Sequence, residues 1–215
     1  MTRVGVLHTV PALVPVFDQL LSAHRDDLDI VHVADASLLS RAIAHGVTDD
    51  VRTSLRDHLA ALRSAGAEAV LVTCSSIGEA AVEAAASVGV PLRRIDAPMA
   101  TEAATRAVAG SGRILVLATL EATLGPTTRL VEAAAAEASR AVSVESLVVE
   151  GAAAARGGGD TEAHDALIAA AITEAGDVDA IVLAQASMAS GANHDPRVLT
   201  SPESGAVAFV EALQR

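Results

Sequence analysis

Short apolar runs alternate with longer amphipathic stretches along the whole of this chain, and that rhythm limits its fold more than any motif does. The runs predict strands at Val4–Leu7, Asp29–Val33, Ala69–Thr73, Pro91–Ile95, Ile114–Ala118, Val142–Leu147 and Ala180–Ala184. Between them, the 3.6-residue periodicity predicts helices at Pro11–Ala23, Thr48–Ser64, Ile77–Ser87, Met99–Ala109, Glu121–Ala138, Thr161–Ala175 and Glu203–Gln214. Parallel strands need a crossover to connect them, so this alternation gives an α/β fold with parallel sheets covered by helices. In such folds the residues that do chemistry collect at the carboxyl ends of the strands.

The two halves of the sequence echo each other. Val70-Leu71-Val72-Thr73-Cys74 has a counterpart in Ile181-Val182-Leu183-Ala184-Gln185. Val4-Gly5-Val6-Leu7-His8-Thr9 is matched by Ile114-Leu115-Val116-Leu117-Ala118-Thr119. We therefore expect two pseudo-symmetric lobes, each a parallel sheet flanked by helices, with the active site in the cleft between them. The boundary is expected at Asp96-Ala97-Pro98. The first lobe is residues 1–97 plus 201–215, the last helix returning to it, and the second lobe is residues 98–200. Gly157-Gly158-Gly159 reads as a connector.

Charge and composition remove several function classes. A formal net charge of −12 disfavours a nucleic-acid surface, which needs clustered basic side chains. All fifteen basic residues are arginine, so neither a lysine Schiff base to pyridoxal phosphate nor a Walker-type phosphate loop is available. The single cysteine excludes an intrachain disulfide and suits a reducing cytoplasm. No apolar run reaches the roughly 18 residues that span a bilayer, and the start enters a strand without a signal-like segment, so no membrane partner is expected. The seven histidines are scattered without ligand spacing, so no metal site is expected.

That one cysteine, Cys74, falls at a strand-to-helix turn, Val72-Thr73-Cys74-Ser75-Ser76-Ile77-Gly78. Backbone N–H groups, two hydroxyls and a helix N-terminus beside it favour a thiolate and also suit a substrate carboxylate. A small buried hydrophobe is an equally good local reading. Three further strand ends carry His8-Thr9, Thr119 with Thr123, and Gln185-Ala186-Ser187. Together they offer donors to a small anion without a carboxylate cluster to repel it, although some of the hydroxyls serve as helix caps. With two phenylalanines and no tyrosine or tryptophan, an aryl-stacking pocket is not expected. Arg93, Arg94 and Arg197 are candidates for a distal carboxylate, and His194 for a loop residue reaching the site.

At Thr73-Cys74-Ser75-Ser76, Leu117-Ala118-Thr119 through Thr123, Ile95-Asp96 with Met99, and Ile181 to Ser187, the chain resembles the cofactor-independent aspartate/glutamate/hydantoin racemase superfamily. That superfamily also takes in arylmalonate decarboxylase and maleate cis–trans isomerase. The resemblance runs over nearly the whole length and implies paired α/β lobes and no cofactor. Racemases of the family use one cysteine from each lobe on opposite faces of the α-carbon. Cys74 matches the first, and the second position falls on Gln185, which has no proton to exchange. The acidic residue that ends the first strand of glutamate racemases falls on His8, a candidate partner for the thiol. Its alternative role is that of a hydrogen-bonded residue shaping the cleft, and its origin in the same lobe as Cys74 favours that role.

The resemblance thus implies an isomerase or racemase-type enzyme acting on a small carboxylate through Cys74, with His8 as its catalytic companion. Thr9, Ser75, Ser76, Thr119, Thr123 and Gln185 would bind substrate. Maleate isomerase uses a first-lobe cysteine as a nucleophile, whereas arylmalonate decarboxylase carries its single cysteine in the second lobe. Decarboxylation of a malonate-type acid and a non-catalytic carboxylate sensor are the alternatives. Alanine-rich helix faces such as Ala133–Ala138 would allow close packing in a homo-oligomer or within one core.

Overall fold

The computed structural model describes residues 1–137 and 141–214. Strand β1 (Thr2–His8) leads through a 3-10 turn, Pro11–Leu13, into α1 (Val14–His24), then β2 (Leu28–Ala34), α2 (Ala36–His45), α3 (Asp49–Ser64) and β3 (Ala69–Val72). A second 3-10 turn, Ser75–Ile77, opens α4 (Gly78–Val88), followed by β4 (Leu92–Arg94), α5 (Ala97–Ala109), β5 (Arg113–Ala118), α6 (Glu121–Ala136) and β6 (Ser143–Val148). Helices α7 (Ala152–Gly157) and α8 (Thr161–Glu174), β7 (Ala180–Leu183), a 3-10 segment Ala186–Gly191, β8 (Val198–Thr200) and α9 (Ser201–Ala212) complete the order. The helix expected over Glu121–Ala138 runs to Ala136, and Ala138 lies outside the described residues.

Among the described residues all strand pairings are parallel and form two four-stranded sheets, ordered β2-β1-β3-β4 and β6-β5-β7-β8. The same strand order recurs in each half, as the sequence echo anticipates. Two compact units result: Met1–Ile95 with the chain from Pro202 onward, and Asp96–Ser201.

In the first unit, β1 and β3 are the inner strands, and Val4, Val6, Leu7, Val70, Leu71 and Val72 are all buried. Helix α3 covers Leu7, Val70 and Val72, on one face of these strands, with Val51, Leu55, Leu59 and Leu62, a stripe at helical spacing that leaves its charged residues in solvent. Gly5 permits this contact, since a Cβ there would sit 3.0 Å from Leu62 Cδ1 and 3.2 Å from Val70 Cγ2. Helix α4 packs through Ala80, Ala81, Ala84 and Ala85 and ends on Gly89, whose φ of 75° is a left-handed cap open to glycine. In the second unit, Met99, Ala100, Ala103 and Ala107 of α5 and Val131 of α6 line one side of β5 and β7. Ile168, Ile172 and Met188 pack with Leu117 and Leu183 on the other.

Three elements escape sequence periodicity. Helix α2 buries only Leu38 and Ala42, and its clearest mark is Asp35, whose carboxylate caps it by accepting from the Ser37 N–H at 2.9 Å. Helix α7 is six residues of alanine, arginine and glycine with no apolar rhythm, and β8 is three residues long at a sheet edge. In each, tertiary packing supplies what local pattern does not.

Helix α9 belongs to the first unit through a close approach at Gly205, where a Cβ would run into the Ile95 carbonyl oxygen and side chain. Gly205→Ala is expected to destabilise the protein by about 2–3 kcal/mol, read from urea unfolding, because backbone at the contact cannot yield as a flexible side chain can.

Candidate active site

Parallel pairing places Val4 to Leu7 of β1 beside Ala69 to Val72 of β3, so the residues that follow both strands emerge together. Here the first unit gathers His8, Thr9, Thr73, Cys74, Ser75 and Ser76. Cys74 is extended (φ −125°, ψ 117°) and caps the 3-10 turn Ser75–Ile77. The turn aims the backbone N–H groups of Ser76 and Ile77, together with the Ser76 hydroxyl, at the sulfur. Cys74 itself is half-buried, and Ser75 and Ser76 are buried.

Thr9 completes this cradle. Its hydroxyl is buried beside Cys74, where it favours the thiolate. Burial nevertheless dominates and pushes the thiol above its ordinary range, with Thr9, the two N–H groups and the Ser76 hydroxyl pulling the other way. The donors expected to create a resting thiolate are therefore present but outweighed by desolvation. Cys74 rests as a neutral thiol in a setting built to receive its anion.

His8 is fully buried, and both ring nitrogens are engaged within the first unit: Nδ1 with Thr73 Oγ1 at 3.0 Å and Nε2 with His32 Nδ1 at 2.9 Å. Phe17 packs against its ring at a centroid distance of 5.7 Å. Burial and the neighbouring His32 lower its pKa to about 4, so at neutral pH it is an uncharged imidazole. His32 and Asp18, which extend this contact to the surface, are partners that sequence reasoning missed. Only the strand register that sets His8 beside Ala34, two residues on from His32, could have signalled the pairing.

The second unit repeats the arrangement with other side chains. Strand β5 pairs with β7, bringing Thr119 next to Gln185. The half-buried Gln185 amide accepts from the Thr119 N–H through Oε1 at 2.8 Å and donates from Nε2 to Thr119 Oγ1 at 2.7 Å. Where Thr9 meets a thiol, Thr119 is held by an amide. Thr123 is buried in the first turn of α6, its N–H bonded to the Leu120 carbonyl at 3.0 Å. Ser187 is half-buried, and its carbonyl is tied to His164 and Arg156.

The remaining candidates are placed as follows. Arg197 forks onto Asp195 at 2.7 Å and also donates to the Gly176 carbonyl, Arg93 is exposed, and Arg94 lies across Gly78 at the start of α4. His194 is exposed in its loop. Among the described residues no three His, Cys, Asp or Glu side chains cluster as metal ligands, and no helix is long and apolar enough to cross a membrane.

The state of His8 fixes a pH dependence. Its folded pKa lies below the unfolded value, so the unfolded chain takes up the proton first as pH falls. This contribution is complete above about pH 6.5 and is lost toward pH 4, at up to about 1.4 kcal/mol per pH unit. Urea unfolding should show wild type losing about 2 kcal/mol more than His8→Gln between about pH 7 and about pH 4.5.

The fold has known counterparts. Glutamate racemase isoform RacE1 from Bacillus anthracis superposes with a TM-score of 0.74 at 18% identity, over 99% of this chain and 82% of that one. The aspartate racemase of Picrophilus torridus gives 0.68 at 15% identity, over 100% and 95%. A mutant arylmalonate decarboxylase in its sulfate-associated form gives 0.57 at 22% identity, over 97% and 93%. No curated protein is significantly similar in sequence. The Asp/Glu/hydantoin racemase family model matches residues 11–208, nearly the full length, and the chain belongs to that family.

Proposed function

We propose that this protein is a cofactor-independent isomerase of a small carboxylate, working through Cys74 alone. The observation that carries this reading is the Cys74 turn: one thiol held among Thr9, Ser76 and two backbone N–H groups, while the equivalent place in the second unit holds Gln185 clamped to Thr119. An amide cannot deliver or accept the second proton of a two-thiol racemase. A single thiol adjoining an α-carbon can remove and return a proton on one face only, which gives exchange without inversion.

Nucleophilic isomerisation needs only one sulfur. Cys74 first gives its proton to water, the donors of its cradle holding the anion, and the thiolate donates its electron pair to one carbon of a carboxylate-conjugated double bond as the π pair moves into the enediolate. Rotation about the resulting single bond follows. The enediolate pair then re-forms the double bond and expels the thiolate. Ser75, Ser76 and Thr9, beside the thiol, are the residues we assign to hold carboxylate oxygens, the largest source of barrier reduction in such a step. Gln185 orients Thr119, and His8, a neutral imidazole bonded on both nitrogens, fixes Thr73 next to the thiol.

The neutral resting state of Cys74 favours a second reading, a proton donor to a decarboxylation. There the bond to the departing carboxylate breaks, its pair enters an enediolate as carbon dioxide leaves, and the thiol protonates carbon. Water then restores the thiol proton.

Proton NMR in deuterium oxide separates these outcomes with aspartate, glutamate, hydroxy acids, maleate and substituted malonates. Wild type is expected to produce a geometric isomer from the unsaturated acid, and Cys74→Ala to lose at least about a hundred-fold in rate while remaining folded. Deuterated product with release of carbon dioxide would establish the decarboxylase. Silence across the panel, with ligand-induced stabilisation intact, would leave a carboxylate sensor. Iodoacetamide should modify free Cys74 slowly at neutral pH and faster above the ordinary thiol range of about 8.5.

A further inference from the structure

Four side chains run from solvent to the residue before Cys74. Asp18 on α1 is exposed, and its Oδ1 lies 3.4 Å from His32 Nε2. His32 Nδ1 is 2.9 Å from His8 Nε2, and His8 Nδ1 is 3.0 Å from Thr73 Oγ1. The Thr73 hydroxyl has a second acceptor in reach, the Leu7 carbonyl at 3.3 Å. That carbonyl already receives the Thr73 N–H at 3.1 Å, so it stays satisfied whichever way the hydroxyl turns.

Donor and acceptor accounting allows two arrangements. With His32 neutral, its Nε2–H donates to Asp18 and its Nδ1 must accept. His8 then carries its proton on Nε2 and accepts at Nδ1 from the Thr73 hydroxyl. With His32 cationic, both of its nitrogens donate, so His8 Nε2 must accept. His8 then carries its proton on Nδ1, donates to Thr73 Oγ1, and the hydroxyl turns to the Leu7 carbonyl. Each arrangement satisfies every group in the chain, and they differ by one proton.

We infer that protonation of His32 reverses the direction of this hydrogen-bond chain, switching the tautomer of His8 while His8 stays uncharged and redirecting the Thr73 hydroxyl beside Cys74. His32 and Asp18 are thus positioning residues that act through His8 and Thr73. Two cationic rings would set N–H against N–H across 2.9 Å, so the pair holds one proton at a time. The burial that depresses His8 to about 4 assigns that proton to His32. Stacking at a centroid distance of 5.2 Å and the contact with Phe17 keep the rings in place as the proton arrives.

The groups bonded to the His32 ring are His8 of β1 and Asp18 of α1. His58 of α3, a helix that also packs on β2, turns instead to Asp35 at 2.9 Å, and Asp29 on the same strand as His32 pairs with Arg3. Any effect on turnover rests on the reading of Cys74 above, whereas the tautomer exchange does not and can be measured alone.

Nitrogen-15 NMR of imidazole-labelled protein from about pH 5 to about pH 8.5 tests it, because the two neutral tautomers and the cation have distinct shifts. The expected result is His8 with its proton on Nε2 at high pH and on Nδ1 at low pH, changing at the same midpoint as His32 gains charge. In His32→Gln, His8 should keep one tautomer throughout. A single His8 tautomer across the His32 titration in wild type, or a cationic His8 at the His32 midpoint, would overturn the proposal.

Discussion

Everything chemical in this molecule depends on the parallel pairing of β1 with β3. Register sets Leu7 beside Val72, so the residues that follow must leave the sheet side by side. His8, Thr9, Thr73 and Cys74 are adjacent for that reason, each at or within two residues of a strand end. Covering both faces of those strands with helices makes the placement rigid, because slipping the register would expose apolar residues on both sides. The cost of burying a thiol and an imidazole at such a place is met by local donors: hydroxyls and turn N–H groups for Cys74, Thr73 and His32 for His8.

The second unit uses the same strand order and arrives at a different chemistry. Thr119 leaves β5 as Thr9 leaves β1, but its neighbour is an amide that bonds it twice. A thiol in that position would leave the Thr119 N–H and hydroxyl to other partners. Gln185 instead uses its own carbonyl and amide to fix the threonine, converting a reactive position into a rigid one. Shared topology therefore fixes where side chains meet and leaves open what they do.

Much of this was legible in the sequence because two periodicities, near two and near 3.6, alternate cleanly. The echo between Val4–Thr9 and Ile114–Thr119 is reproduced as repeated strand order. The Cys74 turn was legible too, since a lone cysteine between an apolar run and a helix has few places to go. What escaped were features that depend on partners distant in sequence. His32 looks like one polar residue in a half-buried strand until register sets it opposite Val6, one diagonal step from His8, and Asp18 looks like an ordinary helix-surface carboxylate. The protonation of Cys74 escaped for a similar reason: the local donors are visible in sequence, but the desolvation that outweighs them comes from the assembled core.

The contact between Gly205 and Ile95 also has a bearing on how the protein is made. The first unit contains the earliest residues of the chain, yet its α9 is supplied only from Pro202 onward, after the whole of Asp96–Ser201. A ribosome extending the chain at about 5–20 residues per second makes all of Asp96–Ser201 before the first unit receives its last helix. The apolar surface that awaits Ala206, Phe209 and Val210 stays open through that interval. The unit that carries the thiol thus cannot close until every residue of Asp96–Ser201 has been made.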